Sequence, residues 1–180
     1  MCSRCSLQVQ DCSTGKGPIP PNLPQKGGDM GAFCYTYDEP LSHLVYAAAD
    51  MIVVPSMFEP CGLTQLIAMR YGAVPIVRQT GGLYDTVFDV DHDKERSAWD
   101  LFGSTDYEAD AVNGTNGFSF GGTEPGDLDY GLNRAIDAYY ENREWFEALQ
   151  ARTMEQDWSW NRPAVEYLDI YRACMKASSP

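Results

Sequence analysis

The sequence has few basic residues and no long apolar run. Lysine and arginine number 13 against 26 aspartates and glutamates, which gives a net charge of −13. A nucleic-acid backbone or an anionic membrane surface needs a basic face, so this balance argues against both as partners. No apolar run approaches the roughly 20 residues that span a bilayer. Any anion that the chain binds must therefore be held locally, against the net charge.

Histidine is scarce, and the cysteines do not form an evenly spaced disulfide framework. The six cysteines follow no apolar signal-like segment, which favours reduced thiols. Cys2 and Cys5 form a C-x-x-C pair, but a zinc site needs further ligands, and His43 and His92 lie far off in sequence. A tail with free thiols is preferred over a zinc site, and no metal or cofactor is expected.

The chain divides into two unlike parts. Its 4 Trp, 11 Tyr and 7 Phe residues are atypical of a disordered protein, and its 180 residues suit one domain. Residues 1–33, however, show no periodicity and contain a run of Gly and Pro over 15–24. We predict disorder over 1–33 and a folded domain over 34–180.

Strands and helices alternate after residue 35. Apolar runs predict strands buried on both faces at Met51–Pro55 and Val74–Val77, and a short strand at Gly117–Phe120. The intervening patterns predict helices over Pro40–Ala49 and Leu63–Tyr71, with another from about Leu83. This alternation is typical of an α/β fold with a parallel sheet.

An acidic interruption follows at Asp89–Gly114. The spacing of Asp89, Asp91 and Asp93 permits a calcium loop, but Lys94 stands where such a loop needs glycine. A solvated insertion loop is the preferred interpretation.

Three helices are predicted to close the chain. Asp127 and Asn142 are expected to cap the first two, and the third begins near Asn161. Trp158 and Trp160 stand at the last junction, where packing is a more common role for such residues than ligand binding.

Chemistry-bearing residues follow the first two strands. Glu59, Gly62 and Thr64 lie between a strand and a helix, where free amides favour phosphate and a close ligand approach. Glu59 either accepts hydrogen bonds from sugar hydroxyls or stabilises a developing positive charge, or it is a helix-capping acid. Gly81-Gly82 repeats this strand–turn–helix arrangement. In a parallel sheet two such turns share one cleft beyond the carboxyl ends of the strands.

Several motifs, in order, resemble the starch and glycogen synthases. They are YDEPLSH at 37–43, FEPCGLTQ at 58–65, MRYG at 69–72 and RQTGGLYDTV at 78–87. The DTVFD run at 85–89 and the DWSWNRPA run at 157–164 look most like class III soluble starch synthases of plants and algae. The resemblance covers roughly residues 35–175. Related transferases often carry a second Glu where this chain has Ile67, which favours the starch and glycogen group over sucrose- or trehalose-type enzymes.

This resemblance implies the GT-B fold, in which two Rossmann-like domains face each other across a cleft. Such enzymes transfer glucose from ADP-glucose to the non-reducing end of an α-1,4-glucan, with retention and without a metal. Residues 34–180 would be the C-terminal part of the donor-binding domain, a partial Rossmann-like parallel sheet with a C-terminal helical segment and an acidic insertion at 89–114. The implied location is the plastid, or the cytoplasm for a glycogen-type enzyme.

The resemblance also implies roles for individual residues. Glu59 would contact the donor glucose and stabilise oxocarbenium-like charge, and Tyr37 falls where the family stacks an aromatic ring on adenine. The remaining implied contacts to glucose, diphosphate and the adjoining cleft are Cys61, Gly62, Leu63, Thr64, Thr80, Gly81 and Gly82.

The family's N-terminal domain and the basic residues of the front of its donor domain have no counterpart in this sequence. We therefore expect a fragment that is inactive alone. The open alternatives are a non-catalytic partner of glucan or of a complete starch synthase, and the remnant of a UDP-glucose-dependent transferase.

Overall fold

The structure, a computed structural model, describes residues 37–102 and 114–177. They belong to two compact units, residues 37–43 to the first and residues 44–177 to the second. The predicted disorder of 1–33 and the C-x-x-C pair lie outside the described residues. The elements in chain order are α1 (Glu39–Ala48), β1 (Met51–Val54), α2 (Thr64–Arg70), β2 (Val74–Arg78), α3 (Gly81–Thr86), α4 (Lys94–Phe102), β3 (Phe118–Phe120), α5 (Pro125–Glu141), α6 (Arg143–Glu155) and α7 (Asn161–Ala177).

The three strands form a parallel sheet in the order β1–β2–β3. Met51 pairs with Val74 at one end of the first ladder, and Ile76 pairs with Phe118 in the second. Parallel strands need a crossover connection, and α2 supplies it between β1 and β2. The predicted α/β fold with a parallel sheet is confirmed.

Both faces of β2 are covered, because successive side chains of a strand point to opposite faces. Val74 and Ile76 pack with Phe118 and with Phe146 and Leu149 of α6. On the other face Val77 packs with Val54, with Leu83 of α3 and with Val87. Full burial of one such side chain contributes roughly 1.5–3 kcal/mol, so β2 is the centre of the core.

The prediction that the first strand is buried on both faces is wrong. Met51 and Ile52 are half-buried and Val53 is 39% exposed. The reason is position: β1 is an edge of the described sheet, so a neighbouring strand shields it on one side only. An apolar run does not distinguish a central strand from an edge strand.

The interpretation of 89–114 as a solvated insertion loop is wrong at its start. Asp89 is fully buried and forms a parallel bridge with Gly117, and α4 follows it. Residues 103–113 lie outside the described part. Carboxylate oxygens of Asp89 and Asp91 bind Arg134, so the calcium alternative is not supported. Sequence spacing does not reveal a partner that lies more than 40 residues away.

The three closing helices are confirmed, with two differences in capping. α5 begins at Pro125 with Glu124 as its N-cap, and Asp127 at the third helical position completes a capping box. Asn142 is the N-cap of α6, but its side chain makes no cap hydrogen bond.

The two tryptophans of the last junction differ in burial. Trp158 is half-buried, whereas Trp160 is 70% exposed and its ring lies 6.0 Å from that of Tyr167. Trp158 is thus the more deeply packed of the two. Among the described residues, none of the helices combines the length and the apolar character that crossing a membrane requires.

Candidate active site

The turn after β1 presents the carboxylate of Glu59. Glu59 is half-buried, and the Ser56 hydroxyl donates to its Oε2 at 3.2 Å. The N-cap of α2 is Leu63, and this helix start carries no side-chain cap hydrogen bond. The geometry therefore gives no support to Glu59 as a helix-capping acid. Its carboxylate is oriented by Ser56 and is partly open to solvent.

The turn after β2 packs directly against the first turn. The Gly82 amide donates to the Glu59 carbonyl oxygen at 2.9 Å. A Cβ at position 81 would collide with the Glu59 carbonyl oxygen, and a Cβ at position 82 with that of Cys61. Gly81 also has a φ of +45°, which favours glycine. The two turns thus lie side by side beyond the carboxyl ends of the strands, as the sequence predicts. The contact between them requires the glycine pair.

Gln65 and Thr86 connect the same two turns by hydrogen bonds, and sequence reasoning missed both. Gln65 is fully buried, and its Nε2 donates to the Gly62 carbonyl at 3.1 Å and to Thr86 Oγ1 at 3.0 Å. Thr86 Oγ1 in turn donates to the Gly82 carbonyl at 2.6 Å. The available signal in the sequence was a glutamine in the first turn of a predicted helix, because a polar group that becomes buried there needs partners.

Arg78, at the end of β2, fixes the neighbouring segments. Its Nη1 donates to the Met57 carbonyl at 2.8 Å and its Nε to the Gly122 carbonyl at 2.9 Å. The guanidinium thereby ties the turn after β1 to the segment after β3. In this conformation these two donors are occupied by the protein itself.

The remaining predicted binding residues differ in accessibility. Cys61, Leu63, Thr64 and Gly81 are exposed, and Gly62 and Thr80 are half-buried. Thr80 is the N-cap of α3 without a side-chain cap hydrogen bond.

Gly82 is buried, and its amide is occupied by Glu59, so it is positioned to shape the turn. Tyr37 belongs to residues 37–43 and is 88% exposed. The functional roles of all these residues stay predictions.

A buried ion pair supports the strand next to the site. Asp89 accepts hydrogen bonds from Arg134 Nη1 at 3.0 Å, Arg134 Nη2 at 2.6 Å and the Ser119 amide at 2.6 Å. Burial acts to raise the pKa of Asp89, but these bonds and the charge of Arg134 outweigh it, so the pKa lies below its ordinary value. Asp89 is therefore ionised at neutral pH and anchors β3 to α5.

One cavity lies apart from the turns. A cavity of about 470 Å³ is lined by α2, the end of α6 and the segment before α7, and it includes none of the predicted site residues. Within 37–102 and 114–177 no group of three or more His, Cys, Asp or Glu side chains is arranged to hold a metal ion.

The chain is similar to starch and glycogen synthases. It is 59% identical over 154 residues to soluble starch synthase 3 of Solanum tuberosum and 62% identical over 149 residues to starch synthase 3 of Arabidopsis thaliana. These matches cover 86% and 83% of this chain, but 12% and 13% of those proteins. Glycogen synthase 1 of a Synechococcus strain is 47% identical over 135 residues, which is 75% of this chain and 25% of that protein.

A solved structure is similar as well. The catalytic domain of starch synthase IV from Arabidopsis thaliana, bound to ADP and acarbose, matches with a TM-score of 0.63 and 40% identity. The match covers 77% of this chain and 25% of that one. No family model matches the chain. The chain thus spans an eighth to a quarter of the length of these relatives.

Proposed function

We propose, from the premise that this chain is a homologue of the starch and glycogen synthases, that it forms the rear part of the donor-binding domain of a retaining glucosyltransferase. The donor is ADP-glucose and the acceptor is the non-reducing end of an α-1,4-glucan. The observation that carries the proposal is the direct contact of the two strand-end turns, in which the Gly82 amide meets the Glu59 carbonyl. In open α/β sheets ligands bind at this edge.

The proposed roles of the site residues are those that the family resemblance implies. Glu59 is the acid that stabilises developing positive charge on the donor glucose, since its carboxylate is oriented by Ser56 and reachable. The exposed turn at Cys61–Thr64 meets the glucose and diphosphate, and the segment Thr80–Gly82 lies along the same cleft. Tyr37 stacks on adenine. The reaction needs no metal.

The solved relative supports the ligand classes, because its structure contains ADP and acarbose. The plant relatives are described as chloroplastic or amyloplastic, which supports a plastid location for this chain. A UDP-glucose donor is the competing assignment, and the two donors are compared in the experiment below.

We expect the 180-residue chain alone to leave labelled glycogen unextended in the presence of ADP-glucose, because transfer needs both sides of a cleft for positioning and charge stabilisation. Placed into Arabidopsis starch synthase 3 over the aligned region, the segment should sustain activity. Glu59→Gln in that chimera should then lower kcat by about 10²–10³-fold.

Glu147→Gln serves as the matched control, since Glu147 is an exposed carboxylate paired with Arg143 on α6. A Glu59→Gln chimera with unchanged kcat would contradict the assigned role. A chimera that prefers UDP-glucose over ADP-glucose would contradict the assigned donor.

Association with a complete synthase is a further part of this proposal. Large apolar residues of α7 are about half exposed or more; they include Val165, Leu168 and Tyr171. Contiguous exposed apolar surfaces often mark interaction sites, so α7 is the proposed contact.

Sedimentation of the chain with a complete starch synthase should show a complex. Leu168→Glu should weaken it, and Asp169→Asn, one position away on α7, should not. A complex that both variants leave intact would place the contact elsewhere.

A further inference from the structure

We propose that Gln65 is a positioning residue that, together with Thr86, holds the two donor-binding turns in register. The inference rests on the proposed function, because it concerns how the turn with Glu59 and the turn with Gly82 are kept in one arrangement. Gln65 is fully buried and contacts the backbone carbonyls of Cys61 and Gly62, so its effect must pass through the backbone of the turns.

The orientation of the Gln65 amide is fixed by its partners. Nε2 lies 3.1 Å from the Gly62 carbonyl oxygen and 3.4 Å from the Cys61 carbonyl oxygen. Carbonyl oxygens only accept, so the NH₂ group must face them. The same nitrogen donates to Thr86 Oγ1 at 3.0 Å, which connects α2 to α3.

Thr86 carries the connection to the second turn. Its hydroxyl donates to the Gly82 carbonyl at 2.6 Å, and the Gly82 amide donates to the Glu59 carbonyl at 2.9 Å. The backbone segment from Glu59 to Gln65 connects the two ends of this series of hydrogen bonds. The backbone that carries Glu59 is therefore held by a bond whose donor, Gly82, is itself held through Thr86 and Gln65.

The Oε1 atom of the amide indicates that Gln65 contributes to the position of the turns rather than to net stability. Its Oε1 is buried and has no hydrogen-bond partner in the described part of the chain. An unpaired buried acceptor destabilises a fold. Methionine has a similar length and no such acceptor, so Gln65→Met removes the donor and the unpaired atom together.

The hydrogen exchange rate of the Gly82 amide tests the inference directly, because this amide is buried and bonded to Glu59. We expect Gln65→Met and Thr86→Val each to accelerate that exchange by about tenfold, the scale of one or two lost hydrogen bonds. Thr86→Ser keeps the hydroxyl and should restore the rate to within about twofold of the parent chain. The Val90 amide, bonded to the Gly117 carbonyl, is the control and should not change.

Equal acceleration at Gly82 and Val90 would overturn the inference, because it would report general destabilisation. An unchanged Gly82 rate in Thr86→Val would overturn it too, even if Gln65→Met fails to fold. A titration of the parent chain with ADP, read at the same amides, addresses the proposed function separately. If ADP does not bind, the proposed function is contradicted, but the exchange rates still test how the turns are held together.

Discussion

Gly82→Ala is expected to destabilise the chain by about 3 kcal/mol or more. The new Cβ would lie inside the contact radius of the Cys61 carbonyl oxygen, which is backbone and has no rotamer that relieves the clash. The turn after β2 must then move away from the turn after β1 and lose the bond from the Gly82 amide to Glu59. Two effects follow together: lower stability and a misplaced Glu59.

Urea unfolding with purified protein measures the first effect. Gly126→Ala is the matched control, since a Cβ there meets nothing within 4 Å in the first turn of α5. Replacing a helical glycine with alanine should stabilise the chain by about 0.5–1 kcal/mol. If Gly82→Ala unfolds at the same urea concentration as the parent, the close packing of the two turns described above is incorrect.

Asp89→Asn is expected to cost roughly 3–5 kcal/mol of folding stability, because it leaves the guanidinium of Arg134 with its buried partner removed. Asp91→Asn removes the other partner of Arg134, but Asp91 is 58% exposed. Its loss should cost about 1 kcal/mol or less, the range of exposed ion pairs. Comparable losses for both variants would show that burial of Asp89 is not what makes the pair strong.

The same pair predicts a pH dependence. The pKa of Asp89 in the folded chain lies below its ordinary value, so the unfolded chain binds the proton more readily. Its contribution to stability is therefore fully present above the unfolded pKa of about 4. The contribution is lost as the pH falls through the lower folded pKa. The difference in unfolding free energy between the parent and Asp89→Asn should shrink steadily as the pH falls below about 5. A difference independent of pH would contradict an ionised, paired Asp89.

The sequence by itself determined the family and the order of the elements other than α4, which was predicted to be part of a loop. The alternation of short apolar runs with helical patterns indicated a parallel α/β sheet, because side-chain periodicity is a local property of the backbone. The motifs at 37–43, 58–65 and 78–87 specified the starch and glycogen synthase resemblance, since several occur in order at fixed spacing. The Gly81-Gly82 pair was predicted from its strand–turn–helix pattern to permit the close approach of a ligand, whereas the structure shows the backbone of Glu59 and Cys61 against it.

Only the tertiary structure decided which groups meet. Gly82 approaches the backbone of Cys61, Gln65 reaches Thr86 21 positions away, and Asp89 meets Arg134 45 positions away. The sequence indicated a solvated acidic loop over 89–114 and a first strand buried on both faces. The loop expectation fails at its start and the strand expectation fails as well, for one physical reason. Whether a carboxylate is buried or a strand lies at an edge depends on what packs against it, and those partners are brought near by chain topology rather than by neighbouring residues.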